Sequence, residues 1–229
     1  MNRGHCARCI LVSLLLLATV IWVAGAASLD VRFSDWLYDD AIGRWPVAHS
    51  GWLRAVAYDG AKYALGATAL GLLGGILYPS WLRRLRLARA EAAYLLMCLI
   101  AVPVIVAAIK YSSGVACAAE LTRYGGAYPD DAGHFGPAAL AGTYAARGCW
   151  PSGHASGGYA LLALGFLDRP PPVRFRLWAA GALLGTLMGA YQIARGAHFV
   201  SHVAVTALMA QCLVCGIAFA MSARLYRAQ

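Results

Sequence analysis

Six stretches of this chain are apolar over most of a bilayer's thickness, and that pattern excludes most soluble folds. They run from Cys9 to Ala27, Ala61 to Tyr78, Ala92 to Lys110, His154 to Leu167, Leu177 to Arg195 and Phe199 to Met221. Most approach the roughly 20 residues a helix needs to cross the hydrocarbon core. The fourth is shorter and needs its flanks to complete a crossing. Such runs face lipid rather than filling one soluble core. Of the 229 residues, 61% are apolar and 13% charged, against about 25% charged in soluble domains. The expected architecture is all-α: a polytopic bundle of six transmembrane helices forming one membrane domain over residues 1–229.

The first segment has two readings. Arg3 and Arg8 precede an apolar stretch that ends in Ala24-Gly25-Ala26-Ala27, a pattern shared with cleavable signal peptides. An uncleaved first helix is the expectation adopted. Either reading leaves residues 28–60 outside the cytoplasm.

Basic residues set the orientation. Arg3 and Arg8 precede the first segment, and Arg83, Arg84, Arg86 and Arg89 separate the second from the third. Arg169, Arg174 and Arg176 separate the fourth from the fifth, and Arg224 and Arg227 follow the sixth. The alternate loops hold Asp30, Asp35, Asp39, Asp40, Asp59, Glu120, Asp130 and Asp131. The positive-inside rule then puts both termini in the cytoplasm, with the acidic loops across a bacterial-type cytoplasmic (inner) membrane, on its periplasmic side. The net charge of +9 reports this orientation and anion binding, not nucleic acid. Residues 28–60, with Trp36, Trp45, Trp52, Tyr38 and Tyr58 among acids, read as an interfacial segment at headgroup depth.

Placed on this topology, the ionisable residues converge. Lys110 lies about 27 Å along a helix from the inner end of the third segment, so it reaches the outer face. His154 opens the fourth segment at that face. Gln192, Arg195 and His198 close the fifth, and His202 opens the sixth. Lysine, arginine and histidines gathered beside a helix start suit a phosphate group. The start of the fourth segment at Pro151-Ser152-Gly153-His154 adds backbone amides, and Gly153 admits close approach.

These residues carry a specific resemblance. The Lys110 segment, Pro151-Ser152-Gly153-His154 and Gly196-Ala197-His198-Phe199-Val200-Ser201-His202 resemble the three signature motifs of the type 2 phosphatidic acid phosphatase family. That family includes membrane lipid phosphatases and soluble vanadium haloperoxidases. The likeness covers roughly residues 105–210, within a catalytic core of about 92–221. It implies a lipid phosphate or diphosphate phosphatase with extracytoplasmic active-site loops. His198 would be the nucleophile that becomes phosphohistidine, and His154 the general acid. Lys110, Ser152, Gly153, Arg195 and Gln192 would bind the phosphate, with no metal and no other cofactor. Its partners would be a membrane lipid phosphate and the bilayer.

Three departures stand out. Cys117 and Ala118 occupy the places of the first motif's Arg-Pro, leaving Arg123 or Arg147 as substitutes for that arginine. Gln192 stands where the third motif has arginine, and Arg195 follows one turn later on the same helix face. His202 replaces the aspartate that orients the nucleophile; a neutral imidazole accepts the same hydrogen bond but brings no negative charge. Glu120, Asp130 and Asp131 are the nearby acids that remain to assist.

Other readings attach to the same residues. His198 and His202, four apart, share a helix face suited to a metal, but no third ligand sits at useful spacing. Cys117 and Cys149 flank the first two motifs in an oxidising loop and are expected to form a disulfide. Cys98, Cys212 and Cys215 read as packing residues, and Cys6 and Cys9 as free thiols or a lipidation site. Two rival functions remain: a lipid phosphotransferase, and a catalytically impaired lipid-binding or transport protein of the same fold.

Overall fold

The computed structural model describes residues 3–27, 29–135 and 148–225. Helix α1 spans Arg3–Ala27 and α2 spans Leu29–Leu37. Helix α3 spans Gly51–Leu77 and contains a π-helical stretch at Arg54–Gly60. The short α4, Pro79–Arg84, leads into α5, Arg89–Ser112. Helix α6, Gly153–Tyr159, continues as the 3-10 segment Ala160–Phe166. Helix α7 is Pro171–Ala194, α8 is Val200–Ala220 and α9 is Ser222–Leu225. No strand occurs among the described residues, only isolated bridges at Asp39–Arg44 and Leu121–Tyr128.

The chain is an all-α protein, and five helices among the described residues are long and apolar enough to cross a membrane: α1 (Arg3–Val23), α3, α5, α7 and α8. Exposed leucines on their outer surfaces, such as Leu11, Leu70 and Leu183, fit a lipid surround. The expected count of six is not confirmed, because the fourth segment is too short and irregular to be counted with them. Its Gly153–Phe166 element is half α-helix and half 3-10, and most of its side chains are buried among the other helices. Gly157 and Gly158 weaken it as a helix, and bundle contacts rather than lipid hold it.

Small residues bring that element into place. Gly181, Gly185 and Gly189 leave one stripe of α7 bare. Gly158 of α6 sits on the backbone of Gly185, and Tyr159 covers the same glycine so closely that neither position has room for a side chain. Glycine stripes of this kind let helix backbones approach inside membranes. On the far side, Tyr94 of α5 is fully buried and its hydroxyl donates to the Val214 carbonyl of α8 at 3.1 Å.

Helix α1 packs along α8, where Cys212 Sγ meets the Ile10 carbonyl, and Arg3 Nε donates to Ser222 Oγ at 2.9 Å. At the same end, Glu91 binds two loops together. It accepts from the amides of Ala88 and Asp168 at 2.9 Å each, and pairs with Arg169 at 2.9 Å. Glu91 is almost fully buried, and this hydrogen-bonded pairing is what makes such burial tolerable.

Candidate active site

Four helix ends meet at the other end of the bundle. Lys110 lies in the last turn of α5, Ser152 caps α6, Arg195 caps α7 and His198 stands just before α8. Short cross-links hold the connecting loops together. Cys117 and Cys149 form a disulfide with Cα atoms 5.2 Å apart. The Cys149 amide donates to the Val115 carbonyl at 2.7 Å, and the Ala119 amide to the Gly196 carbonyl at 2.8 Å. Gly148 rests directly on the Lys110 carbonyl, where no side chain fits. Gly196 turns the chain between α7 and α8 at φ +73°, with the Trp45 indole against its α-carbon. A left-handed turn under an aromatic ring admits only glycine without strain, and this turn aims His198.

The segment 28–60 enters the site as well as flanking it. Trp36 and Trp52 are exposed, as an interfacial segment requires, whereas Trp45 is buried. It packs edge-on to Tyr38 and Tyr124, with centroids 5.5 and 5.2 Å away. Tyr58 stacks on His154, centroids 4.2 Å apart and planes 10° apart. The Arg195 guanidinium lies 5.8 Å from the centroids of both Tyr58 and Tyr191. The π-helical stretch of α3 offers the Ala57 carbonyl to His154 Nε2 at 3.1 Å. That contact requires the proton on Nε2, which leaves Nδ1 to exchange protons.

His198 is almost completely buried. Burial first, then the neighbouring His202 and Lys110, push its imidazole well below the usual histidine range. It is therefore neutral near pH 7, the form in which a ring nitrogen can act as nucleophile. The Lys110 side chain runs beside Gly153, its Cδ 3.7 Å from where a glycine Cβ would stand. A Cβ at Gly153 would thus make only ordinary contact within the protein.

Among the described residues, four buried side-chain polar atoms have no hydrogen-bond partner: Trp45 Nε1, Ser152 Oγ, Gln192 Nε2 and His198 Nδ1. Ser152, Gln192 and His198 belong to the set read from sequence, and Trp45 covers the Gly196 turn between Gln192 and His198. Buried polar groups are normally paired, so these four atoms keep hydrogen-bonding capacity that the protein itself does not use.

Several expectations are revised by the geometry. The Ser152 amide is occupied, donating to Thr206 Oγ1 at 2.8 Å, so Ser152 offers its hydroxyl instead. His202 does not bond to His198. Its Nδ1 lies 3.2 Å from the Cys149 carbonyl and its Nε2 3.1 Å from the Gly133 carbonyl. Both partners are acceptors, and a neutral imidazole carries a single N–H, so one contact is a donated hydrogen bond and the other sets a bare ring nitrogen against a carbonyl. The two rings stand 5.8 Å apart, edge to face. Arg123 is bound to Asp35 through two 2.7 Å hydrogen bonds, which hold the Asp35 carboxyl below the usual range, so it does not replace the missing arginine. Arg147 lies outside the described residues. Glu120 accepts the Cys117 amide at 2.8 Å, and Asp130 faces Arg123 at 3.9 Å.

Sequence reading missed Tyr58, Ala57, Trp45, Thr206 and Asp30. Asp30 is buried and accepts both the amide, at 2.9 Å, and the hydroxyl of Ser201. It thereby caps the first turn of α8, beside the histidines.

The fold is that of a multi-pass helical membrane protein, and its loops bring Lys110, His154 and His198, and Arg195 and His154, within electrostatic reach of one another. The chain belongs to the PAP2 superfamily, whose family model matches residues 91–226, from α5 to the end of α9. Membership of this superfamily supports a phosphatase-like function for the chain. Among curated proteins and among solved structures, nothing matches the chain.

Proposed function

We propose that the protein is a lipid phosphate or diphosphate phosphatase that works through a phosphohistidine on His198, at the outer face of a cytoplasmic-type membrane. The observation that carries this reading is the group of unpartnered buried polar atoms around His198. A phosphoryl group, with its several acceptor oxygens, would pair with the donors among them and with Lys110 and Arg195.

In the first step the neutral His198 imidazole attacks phosphorus, and the bond to the lipid-linked oxygen breaks. His154 delivers its Nδ1 proton to that oxygen, while Nε2–H stays on the Ala57 carbonyl. Lys110, Arg195, the Gly153 amide and the Ser152 hydroxyl hold the equatorial oxygens, whose charge grows in the transition state. In the second step water gives a proton to His154 Nδ1 and attacks phosphorus. The P–N bond breaks, inorganic phosphate leaves and His198 returns to its starting form.

Two features favour a lipid substrate. The site lies at the ends of membrane-length helices. An apolar cleft of about 720 Å³ runs between α1, α2 and the start of α8, walled by Val20, Val23, Leu29, Phe33 and Val200, and reaches Ser201 near His198. Phosphatidic acid, phosphatidylglycerol phosphate, undecaprenyl pyrophosphate and lipid A all combine a terminal phosphate with hydrocarbon of this kind. The test is phosphate release from these four lipids by purified protein in detergent without added acceptor, with His198→Ala and vanadate as controls. Release by wild type alone, blocked by vanadate, supports hydrolysis. Release only when an acceptor lipid is added would make the protein a phosphotransferase. Equal release by wild type and variant would leave a binding protein.

A further inference from the structure

The apolar cleft between α1, α2 and the start of α8 has a polar floor. Asp30 and Ser201 line it beside Val23, Phe33 and Val200. Asp30, in the first turn of α2, is buried and accepts the Ser201 amide at 2.9 Å and the Ser201 hydroxyl. No lysine or arginine pairs with Asp30 among the described residues. A buried carboxyl without a cation depends on the donors it has, so the Asp30–Ser201 pair is a firm link from α2 to α8. Ser201 lies three residues after His198 and directly before His202. Asp30 is also within electrostatic reach of His202. The rim of the cleft is apolar and open. Leu29, Phe33 and Trp36 are exposed there, at spacings of four and three that put them on one face of α2.

We infer that the cleft holds the first stretch of the substrate's hydrocarbon while its phosphate meets His198, and that the Asp30–Ser201 pair passes this occupancy on to the turn that carries the nucleophile. The inference rests on the phosphatase reading and narrows it to one substrate class, a phosphate joined to hydrocarbon as opposed to a chain-free phosphate ester. The occupant is the substrate's own chain because the floor of the cleft and the nucleophile share one short segment, His198 to His202. A chain entering from the bilayer over Leu29 and Trp36 would reach that segment from its apolar side. Hydrocarbon against Val23, Phe33 and Val200 would hold α1 and α2 on α8 and fix Ser201 in place. Binding energy from a part of the substrate remote from phosphorus would then orient His198, which raises kcat as well as lowering KM. Asp30 and Ser201 are positioning residues in this scheme. Helices α1 and α2 lie outside the matched region 91–226, so the selection for hydrocarbon comes from elements added to the family core.

The experiment is steady-state kinetics of the full-length protein in neutral detergent, with dioctanoyl phosphatidic acid and with glycerol 3-phosphate. Both are phosphate monoesters of glycerol, and they differ only in the acyl chains. Wild type should turn over the lipid with a kcat about tenfold or more above that for the chain-free ester. Two variants test the link. Val23→Trp fills the cleft, and Ser201→Ala removes the hydroxyl while keeping the amide bond to Asp30. Each should bring the ratio of the two kcat values to within about twofold. Thermal unfolding shows whether Val23→Trp is folded, and Ser201→Ala decides alone if it is not. A wild-type ratio near one, with a difference in KM only, would overturn the inference and leave the phosphatase reading standing. So would a ratio preserved in Ser201→Ala or in folded Val23→Trp. Release of phosphate from neither substrate by wild type would overturn the phosphatase reading, and this inference with it.

Discussion

The imidazole of His154 lies flat on the phenol ring of Tyr58, 4.2 Å between centroids, and the Arg195 guanidinium approaches the same ring at 5.8 Å. One aromatic side chain from α3 therefore touches both the proposed general acid and a proposed phosphate ligand. Tyr58→Ala should lower kcat by about tenfold to a hundredfold, the lower part of what a misplaced acid costs. Tyr58→Phe, which keeps the ring, should stay within about threefold of wild type. Steady-state kinetics on a lipid phosphate decides; an unchanged kcat in Tyr58→Ala would remove Tyr58 from the account.

Restoring the family's aspartate at position 202 should not improve the enzyme. The Cys149 and Gly133 carbonyls both face this side chain, and a carboxylate would meet them with no proton to donate. His202→Asp should lose about 1–3 kcal/mol of stability, the usual cost of a broken buried hydrogen bond, with no gain in kcat. Thermal unfolding in detergent and the turnover rate check both halves. A stable, faster variant would mean that position 202 still acts on His198.

The Cys117–Cys149 bridge spans 32 residues of chain. A loop of that size contributes on the order of 3–4 kcal/mol in the chain-entropy model. Cys117→Ser with Cys149→Ser should lower Tm by several degrees and raise KM, because the bridge holds the loop after Lys110 against the Ser152 segment. Reductant added to wild type should reproduce both effects. An unchanged Tm and KM in the double variant would show the bridge to be dispensable.

Burial keeps His198 unprotonated below the usual histidine range, and the sign of the pH effect follows. An unfolded histidine takes up its proton near pH 6.5, whereas the folded one does not. Acidification through that region therefore favours unfolding, while the folded enzyme keeps its free nucleophile. Rapid-quench formation of phosphoenzyme should persist below pH 6 even as Tm begins to fall. Loss of the burst with a midpoint near 6.5 would contradict a buried, neutral His198.

Legibility in the sequence followed the range of the interactions. Helix α5 could be read to within a few residues, since a long apolar run ending in Lys110 has few alternatives. The convergence of Lys110, His154, Arg195 and His198 followed from topology, because helix length alone carries each to the same membrane level. The fourth segment is the least legible, because its glycines and small residues satisfy a hydropathy count while disfavouring a long regular helix. Trp45 and Tyr58 looked like headgroup anchors, and nothing local says that their rings turn inward to Gly196 and His154. The Ser152 amide and the His202 ring were misjudged for the same reason. Their partners, Thr206, Cys149 and Gly133, come from distant parts of the chain and meet them only in the folded bundle.

Acid-sensitive phosphoenzyme is the most direct measure of the central claim. Purified protein should be mixed with lipid phosphate labelled with ³²P at its terminal phosphate, quenched in alkali within milliseconds, and mapped by peptide sequencing. The label should sit on His198, survive alkali, and accumulate further in His154→Ala if hydrolysis of the intermediate becomes slow. Label on another residue, or phosphate release at the wild-type rate by His198→Ala, would contradict it.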